Sequence, residues 1–203
     1  MKIICIGRNY VDHIAELQNE KPSEPVVFIK PDSAILLKQH PFVIPEFSND
    51  IHHEVEIVLK INRVGKHIAE QFAHKYYEEI TVGIDFTARD IQKIQKAKGL
   101  PWEKAKGFDG AAPMGKFVSK RKFPDINNIG FHLDINDKTV QKGNTNNQIF
   151  SFDKIISFIS QFITLKIGDL IYTGTPVGVG SVKIGDKLEA FLEGEKLLAF
   201  EIK

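Results

Sequence analysis

The chain is poor in the features that mark specialised protein classes. It has one cysteine in 203 residues, so no intramolecular disulfide can form. Cys5 sits in the apolar run Ile3-Ile4-Cys5-Ile6, where a thiol serves as a small buried hydrophobe, and a reducing compartment fits. Charge of one sign is also missing. Lys plus Arg number 27 against 26 Asp plus Glu, a formal charge of +1, which argues against a dedicated nucleic-acid binder. No apolar run approaches the roughly 18 residues of a membrane span, and Met1-Lys2 leads into a strand-like segment instead of a signal or transit peptide. The expectation is a cytoplasmic protein with no nucleic-acid or membrane partner. Linkers are absent too, so residues 1–203 read as one domain, in which 1–25 form a strand followed by a polar segment of its own character.

What is present reads as a mixture of strands and short helices. Residues 2–6 and 26–29 form strands, the second ended by Pro31. From 51 to 61 a single strand is expected, with Val55, Ile57, Leu59 and Ile61 on one face and Glu54, Glu56, Val58 and Lys60 on the other. A helix should cover about 68–79 and a strand 80–86. Thr87 and Asp90 match a capping box, which predicts a helix over about 88–98 that stops at Gly99 and Pro101. Residues 130–135 read as a strand. From Ser151 the spacing of Ile155, Ile156, Phe158, Ile159 and Phe162 describes one helical face. Lys166-Ile167-Gly168-Asp169 recurs as Lys183-Ile184-Gly185-Asp186, each a turn into a strand, and Glu193-Gly194 turns the last hairpin. One repeated turn does not make a solenoid. Without strict βαβ alternation, the fold class is α+β around a curved sheet or roll.

The chemistry lies in the carboxylates. Side chains alternate along a strand, so Glu54 and Glu56 project from one face. Asp85 ends an apolar strand just before a helix start. Three carboxylates from two strands make an all-oxygen face for a hard divalent cation, Mg²⁺ or Mn²⁺. A cation-free network, with the acids paired to Arg89 and Lys106, is the competing arrangement. His52 and His53 are adjacent on a strand and point to opposite faces, so both cannot join one site; His53 belongs on the Val55 face, as a packing residue or a partner of a ligand.

Five runs carry a resemblance: Gly7-Arg8-Asn9-Tyr10-Val11-Asp12-His13, His52-His53-Glu54-Val55-Glu56, Asp85-Phe86-Thr87-Ala88-Arg89-Asp90-Ile91-Gln92, Pro101-Trp102-Glu103-Lys104-Ala105-Lys106-Gly107-Phe108-Asp109, and Thr173-Gly174-Thr175-Pro176-Val177-Gly178-Val179-Gly180. In this order, over almost the whole chain, they resemble the fumarylacetoacetate hydrolase family, nearest its acylpyruvate hydrolase and oxaloacetate decarboxylase branch. The resemblance implies a mixed β-roll with flanking short helices, usually a homodimer. It matches Glu54, Glu56 and Asp85 to ligands of Mg²⁺ or Mn²⁺, Lys106 to an active-site lysine, and Arg8, Arg89, Gln92 and Thr175 to positions near the substrate. His13 and Glu16 lie three apart, on one face of any helix there; the resemblance implies that they sit on a lid over about residues 10–24 and activate water. Over 107–113 the family pattern is weaker, and Gly107, Asp109 and Gly110 are expected to shape the pocket differently from other members. The glycines of 174–180 lack the Gly-Lys-Ser/Thr ending of a phosphate-binding loop.

The implied activity is cleavage of a C–C bond in a small 2-oxo acid, as an acylpyruvate hydrolase, an oxaloacetate decarboxylase or both, through a metal-bound pyruvate enolate. Alternatives on the same fold are a 2-hydroxyhepta-2,4-diene-1,7-dioate isomerase or a 2-oxo-4-pentenoate hydratase. A metal-dependent nuclease is disfavoured by the neutral charge. A non-catalytic metal-binding protein has no use for His13, Glu16 and Lys106.

Overall fold

A continuous apolar strand must bury both faces, and the N-terminal one does. In the computed structural model, which describes residues 1–11, 22–38 and 40–203, Ile3–Gly7 (β1) lies inside a six-stranded sheet. Its order is Val26–Lys30 (β2), β1, Leu170–Tyr172 (β10), Val55–Ile61 (β4), Tyr77–Ile84 (β5) and Val118–Ser119 (β7), numbered in chain order. β1 runs parallel to β10, and the other pairs are antiparallel. A three-stranded sheet joins Gly180–Ser181 (β11), Ile51–His53 (β3) and Thr87–Ala88 (β6); a four-stranded one joins Glu195–Glu201 (β13), Lys187–Leu192 (β12), Gly130–Ile135 (β8) and Lys138–Asn144 (β9). Four short helices accompany them among the described residues: Glu70–Ala73 (α1), Arg89–Ala97 (α2), Glu103–Lys106 (α3) and Phe152–Phe162 (α4). The architecture is α+β. Among the described residues no helix is long and apolar enough to cross a membrane. His13, Glu16 and most of the expected lid lie outside the described residues.

Several local expectations give way to tertiary context. The helix expected over 68–79 shrinks to α1, because Tyr77 is drawn into the ladder of β5, where it is fully buried opposite Ile61. The expected strand 51–61 is interrupted at Glu54, which separates β3 from β4. Both faces of β4 are buried, Val58 included. Thr87 is not an N-cap: it pairs with His52 in β6, and Ala88 precedes α2 without a side-chain cap. Asp90 instead accepts hydrogen bonds from Ser48 Oγ (2.7 Å) and Asn49 N (3.0 Å), tying α2 to the loop before β3. In α4 the core face is Phe152, Ile155, Ile156 and Ile159, Ser151 caps the N-terminus by accepting the Lys154 N–H, and Phe162, expected on the apolar face, is exposed. The twin turns form as expected: the backbone N–H of Lys166 and of Lys183 each donates to the aspartate three residues on, at 2.7 and 2.8 Å.

The register of β4 and β5 builds the site. Val55 pairs with Ile84 and Glu56 with Gly83, and Asp85 N–H donates to Glu54 O at 2.8 Å. Glu54 and Asp85 therefore face each other across the ladder, where side chains stand on the same side. Gly83 must be glycine, since a Cβ there would lie 2.8 Å from the ring of Tyr172.

Candidate active site

Glu54, Glu56 and Asp85 are all buried and present carboxylate oxygens within 4.8 Å of one another. Strand period and cross-strand register together place them there. Glu56 also accepts the backbone N–H of Gly174 at 2.8 Å. Gly174 has φ +103, and a Cβ on it would meet Asn9 Cβ at 2.6 Å, so this approach is open only to glycine. Asn9 holds that loop, donating to Thr173 O and Phe150 O and accepting from Phe150 N. Burial, and then the charge of Asp85, push the Glu56 carboxyl well above the usual carboxylate range despite the Gly174 bond.

Three cations meet these acids. Lys106, on α3, donates to Glu54 Oε2 (2.8 Å), Asp85 Oδ2 (2.7 Å) and Thr87 Oγ1 (2.6 Å). Burial works against its charge, but Asp85 and Glu54 outweigh burial and hold the ammonium above the ordinary lysine range. Arg89, the first residue of α2, pairs through Nη2 with Glu54 and donates from Nη1 to Gln92 Oε1 at 2.7 Å. Lys30, at the end of β2, puts Nζ 2.7 Å from Asp85 Oδ1. Arg89 and Lys106 thus pair as the cation-free arrangement requires. The ion pairs fall on Glu54 and Asp85, while Glu56 is the acid pushed toward its protonated form. A divalent ion fits that imbalance: three hard oxygens converge, and one of them lacks an adjacent cation among the pairs described.

The carboxylates open onto a pocket lined also by Arg8, Phe28, Gln92, Lys96, Trp102 and Thr175. The expected metal ligands Glu54, Glu56 and Asp85, the active-site lysine Lys106 and the substrate-side residues Arg8, Arg89, Gln92 and Thr175 therefore border one space. Arg8 has φ +59, a left-handed backbone that turns the chain out of β1 at the pocket. Phe28 and Trp102 pack at 5.8 Å between ring centroids, and Lys106 Nζ lies 5.1 Å above Phe28. Thr175 is oriented by Gln141, which donates from Nε2 to Thr175 Oγ1 and to Pro176 O, both at 3.0 Å. Gln141 Oε1 also receives Val55 N–H and lies 2.8 Å from His53 Nδ1. His53 is thus a packing residue on the Val55 side. His52 is the histidine nearer the site, with Nδ1 3.4 Å from Arg89 Nε and Nε2 2.9 Å from Asp50 Oδ1. Burial, and then Arg89, hold it below the usual histidine range.

Lys30, Thr87, Gln141 and the Gly174 N–H escaped the sequence reading of function. Lys30 had a faint signal: a lysine closing an otherwise apolar strand before proline. The others act through a hydroxyl, a side-chain amide and a backbone N–H that no local pattern marks. Gly107, Asp109 and Gly110 do not border the carboxylate pocket; Asp109 and Gly110 line a separate groove with Phe47 and Phe108, and Gly107 another.

Residues 2–202 match the family described as Fumarylacetoacetate (FAA) hydrolase C-terminal. The oxaloacetate decarboxylase, mitochondrial, of Dictyostelium discoideum is 45% identical over 194 residues, covering 95% of this chain and 89% of that protein. The oxaloacetate tautomerase FAHD1, mitochondrial, of Mus musculus is 42% identical over 201 residues, 99% of this chain and 91% of its own. The crystal structure of fumarylpyruvate hydrolase from Pseudomonas aeruginosa in complex with Mn²⁺ and pyruvate aligns with a TM-score of 0.94 and 29% identity, covering 100% of this chain and 89% of that one.

Proposed function

The chain belongs to the fumarylacetoacetate hydrolase family, in its oxaloacetate decarboxylase branch, and from this we propose that it is a divalent-metal-dependent enzyme that forms the enolate of a small 2-oxo acid. One observation carries the reading: three buried carboxylates within 4.8 Å open onto a pocket that also presents Arg8, Arg89, Lys96 and Lys106. Acids suit a cation, and the surrounding cations suit an anionic substrate. Glu54, Glu56 and Asp85 would hold Mg²⁺ or Mn²⁺, which when bound supplies Lewis acidity at a 2-oxo oxygen.

The chain's own residues supply the rest. Arg8 and Arg89 border the space a substrate carboxylate enters, and Gln92 holds the Arg89 guanidinium in place. Loss of CO₂ from oxaloacetate breaks the C3–C4 bond and leaves its electron pair as the enolate, which C3 protonation converts to pyruvate. Removing and returning a C3 proton without that cleavage is tautomerisation, through an enolate of the same kind. In an acylpyruvate, water adds to the distal carbonyl, and C–C cleavage gives a carboxylic acid and the pyruvate enolate; His13 with Glu16 is our choice of base for that water. Lys106, kept charged by Asp85 and Glu54, stabilises the developing oxyanion as a fixed ammonium. Phe28 and Trp102, half-buried and packed together, give this side of the pocket an apolar wall, beside which each charge interaction is stronger than in bulk water.

The test is pyruvate release from oxaloacetate, acetylpyruvate and fumarylpyruvate with added Mg²⁺ or Mn²⁺, before and after chelation, with oxaloacetate enol–keto exchange followed in parallel. Turnover of at least one substrate that vanishes with chelator is expected. Unchanged turnover after chelation, or none with any of these acids, would refute the reading.

A further inference from the structure

Lys30 does not line the pocket, yet its side chain is fully buried and spends one of its contacts on a proposed metal ligand. Its Nζ lies 2.7 Å from Asp85 Oδ1 and donates to Phe86 O at 3.0 Å and Ala111 O at 2.9 Å. Two backbone carbonyls thus take hydrogen bonds from the ammonium, and the carboxylate oxygen stands beside it as an ion pair. Burying such a cation is costly unless a partner offsets it. The carbonyls do not require a charge: Ala111 O already accepts the N–H of Phe86, and any neutral donor would serve Phe86 O. Only the carboxylate matches the charge. Asp85 is consequently held from two sides, Oδ1 by Lys30 from β2 and Oδ2 by Lys106 from the pocket side.

We propose that Lys30 is a positioning residue that pins Asp85 Oδ1 and thereby commits Oδ2 to the pocket, making Asp85 a one-oxygen ligand of the divalent ion. The proposal rests on the metal reading above. It assigns the two oxygens different work, although they are chemically equivalent in a free carboxylate. Without this anchor Asp85 is held only through Oδ2, by Lys106 on the pocket side, and fixing its other oxygen on ion binding then costs affinity.

The experiment measures Mn²⁺ binding to the full-length protein without substrate, by calorimetry and by loss of the free-ion electron spin resonance signal, alongside thermal unfolding of the ion-free form. Lys30→Met should weaken Mn²⁺ about 10- to 100-fold, the usual cost of losing a group that orients a metal ligand. Lys30→Gln retains a neutral donor for the carbonyls and should weaken it to a similar degree. A merely structural lysine would lower the unfolding temperature while leaving the ion affinity of the folded protein alone. Folded Lys30→Met or Lys30→Gln protein that binds Mn²⁺ within about twofold of wild type would overturn the proposal, because that lies well inside the expected loss. If neither variant folds, the wild-type Lys30 ammonium resonance decides: it should shift on Mg²⁺ titration, and an unmoved signal would overturn the role. Absence of Mn²⁺ binding by the wild type would sink the metal reading and this one together. Wild-type binding matched by the variants would sink only the role of Lys30.

Discussion

Two aspartates of this molecule are equally buried, and they do opposite things. Asp169, at 1% exposure, receives Lys2 N at 2.9 Å, Lys2 Nζ at 2.6 Å and Lys166 N at 2.7 Å. Burial alone would raise its pKa, but the donors of Lys2 and Lys166 outweigh it and hold the carboxyl below the usual range. It is a single acid satisfied by near neighbours, and it pins the turn into β10. Asp85, also at 1% exposure, shares its space with two further carboxylates. There burial, and then the charge of Asp85, push Glu56 up, with no donors sufficient to reverse it. A buried carboxylate with its donors saturated holds structure together; a crowd of them around a pocket is costly to assemble and marks where an ion and a substrate can act.

The comparison breaks most readily at the cluster. Glu54→Ala should bring decarboxylation and acylpyruvate cleavage to background while the protein still folds, as judged by its circular dichroism; retained turnover would place the ion elsewhere. His13→Ala comes next. Hydrolysis needs a base for water and decarboxylation does not, so the variant should lose acylpyruvate cleavage relative to oxaloacetate decarboxylation by about 10²–10⁴-fold. Equal loss of both would assign His13 to another step. Lys106→Met should lower kcat about 10²–10³-fold for both reactions, since each develops the same oxyanion; an effect confined to one substrate would remove the shared step.

The smallest expected effect sharpens the contrast from the other side. Asp169→Asn should leave kcat intact and cost about 1–3 kcal/mol of stability at pH 7, the worth of a charged hydrogen-bonded group. Its pH dependence has a definite sign. The folded carboxyl titrates below the unfolded one, about 3.9, so its stabilisation is present above the unfolded pKa and disappears as pH falls through the folded value. Melting temperatures of wild type and variant should therefore converge below about pH 4. A gap that persisted at low pH would show that the aspartate acts through shape and not charge.

How much was legible follows from the range of each interaction. The convergence of Glu54 and Glu56 was readable because a strand repeats every two residues and the pair lies within one strand. The twin Lys-Ile-Gly-Asp turns were readable for a similar reason: donor and acceptor are three residues apart. The helix expected over 68–79 was misread because local periodicity favoured it while Tyr77 gained more by joining the core ladder. Thr87 was misread as a cap because the capping pattern is silent about a lysine nineteen residues on, whose ammonium takes its hydroxyl.

The sequence by itself determined the α+β class, the paired glutamates, the acid at the end of β5 and the five runs that mark the family, since these depend on residue type and short spacing. Only the tertiary structure decided that Asp85 faces Glu54 across the β4–β5 ladder and that Gly174, 118 positions from Glu56, lends it an N–H. The arrival of Lys30 from β2 to hold the far oxygen of Asp85 belongs with these. Charges and hydrogen bonds act over a few ångströms of space whatever the distance along the chain, so a site made of them exists only once the sheets have set their registers.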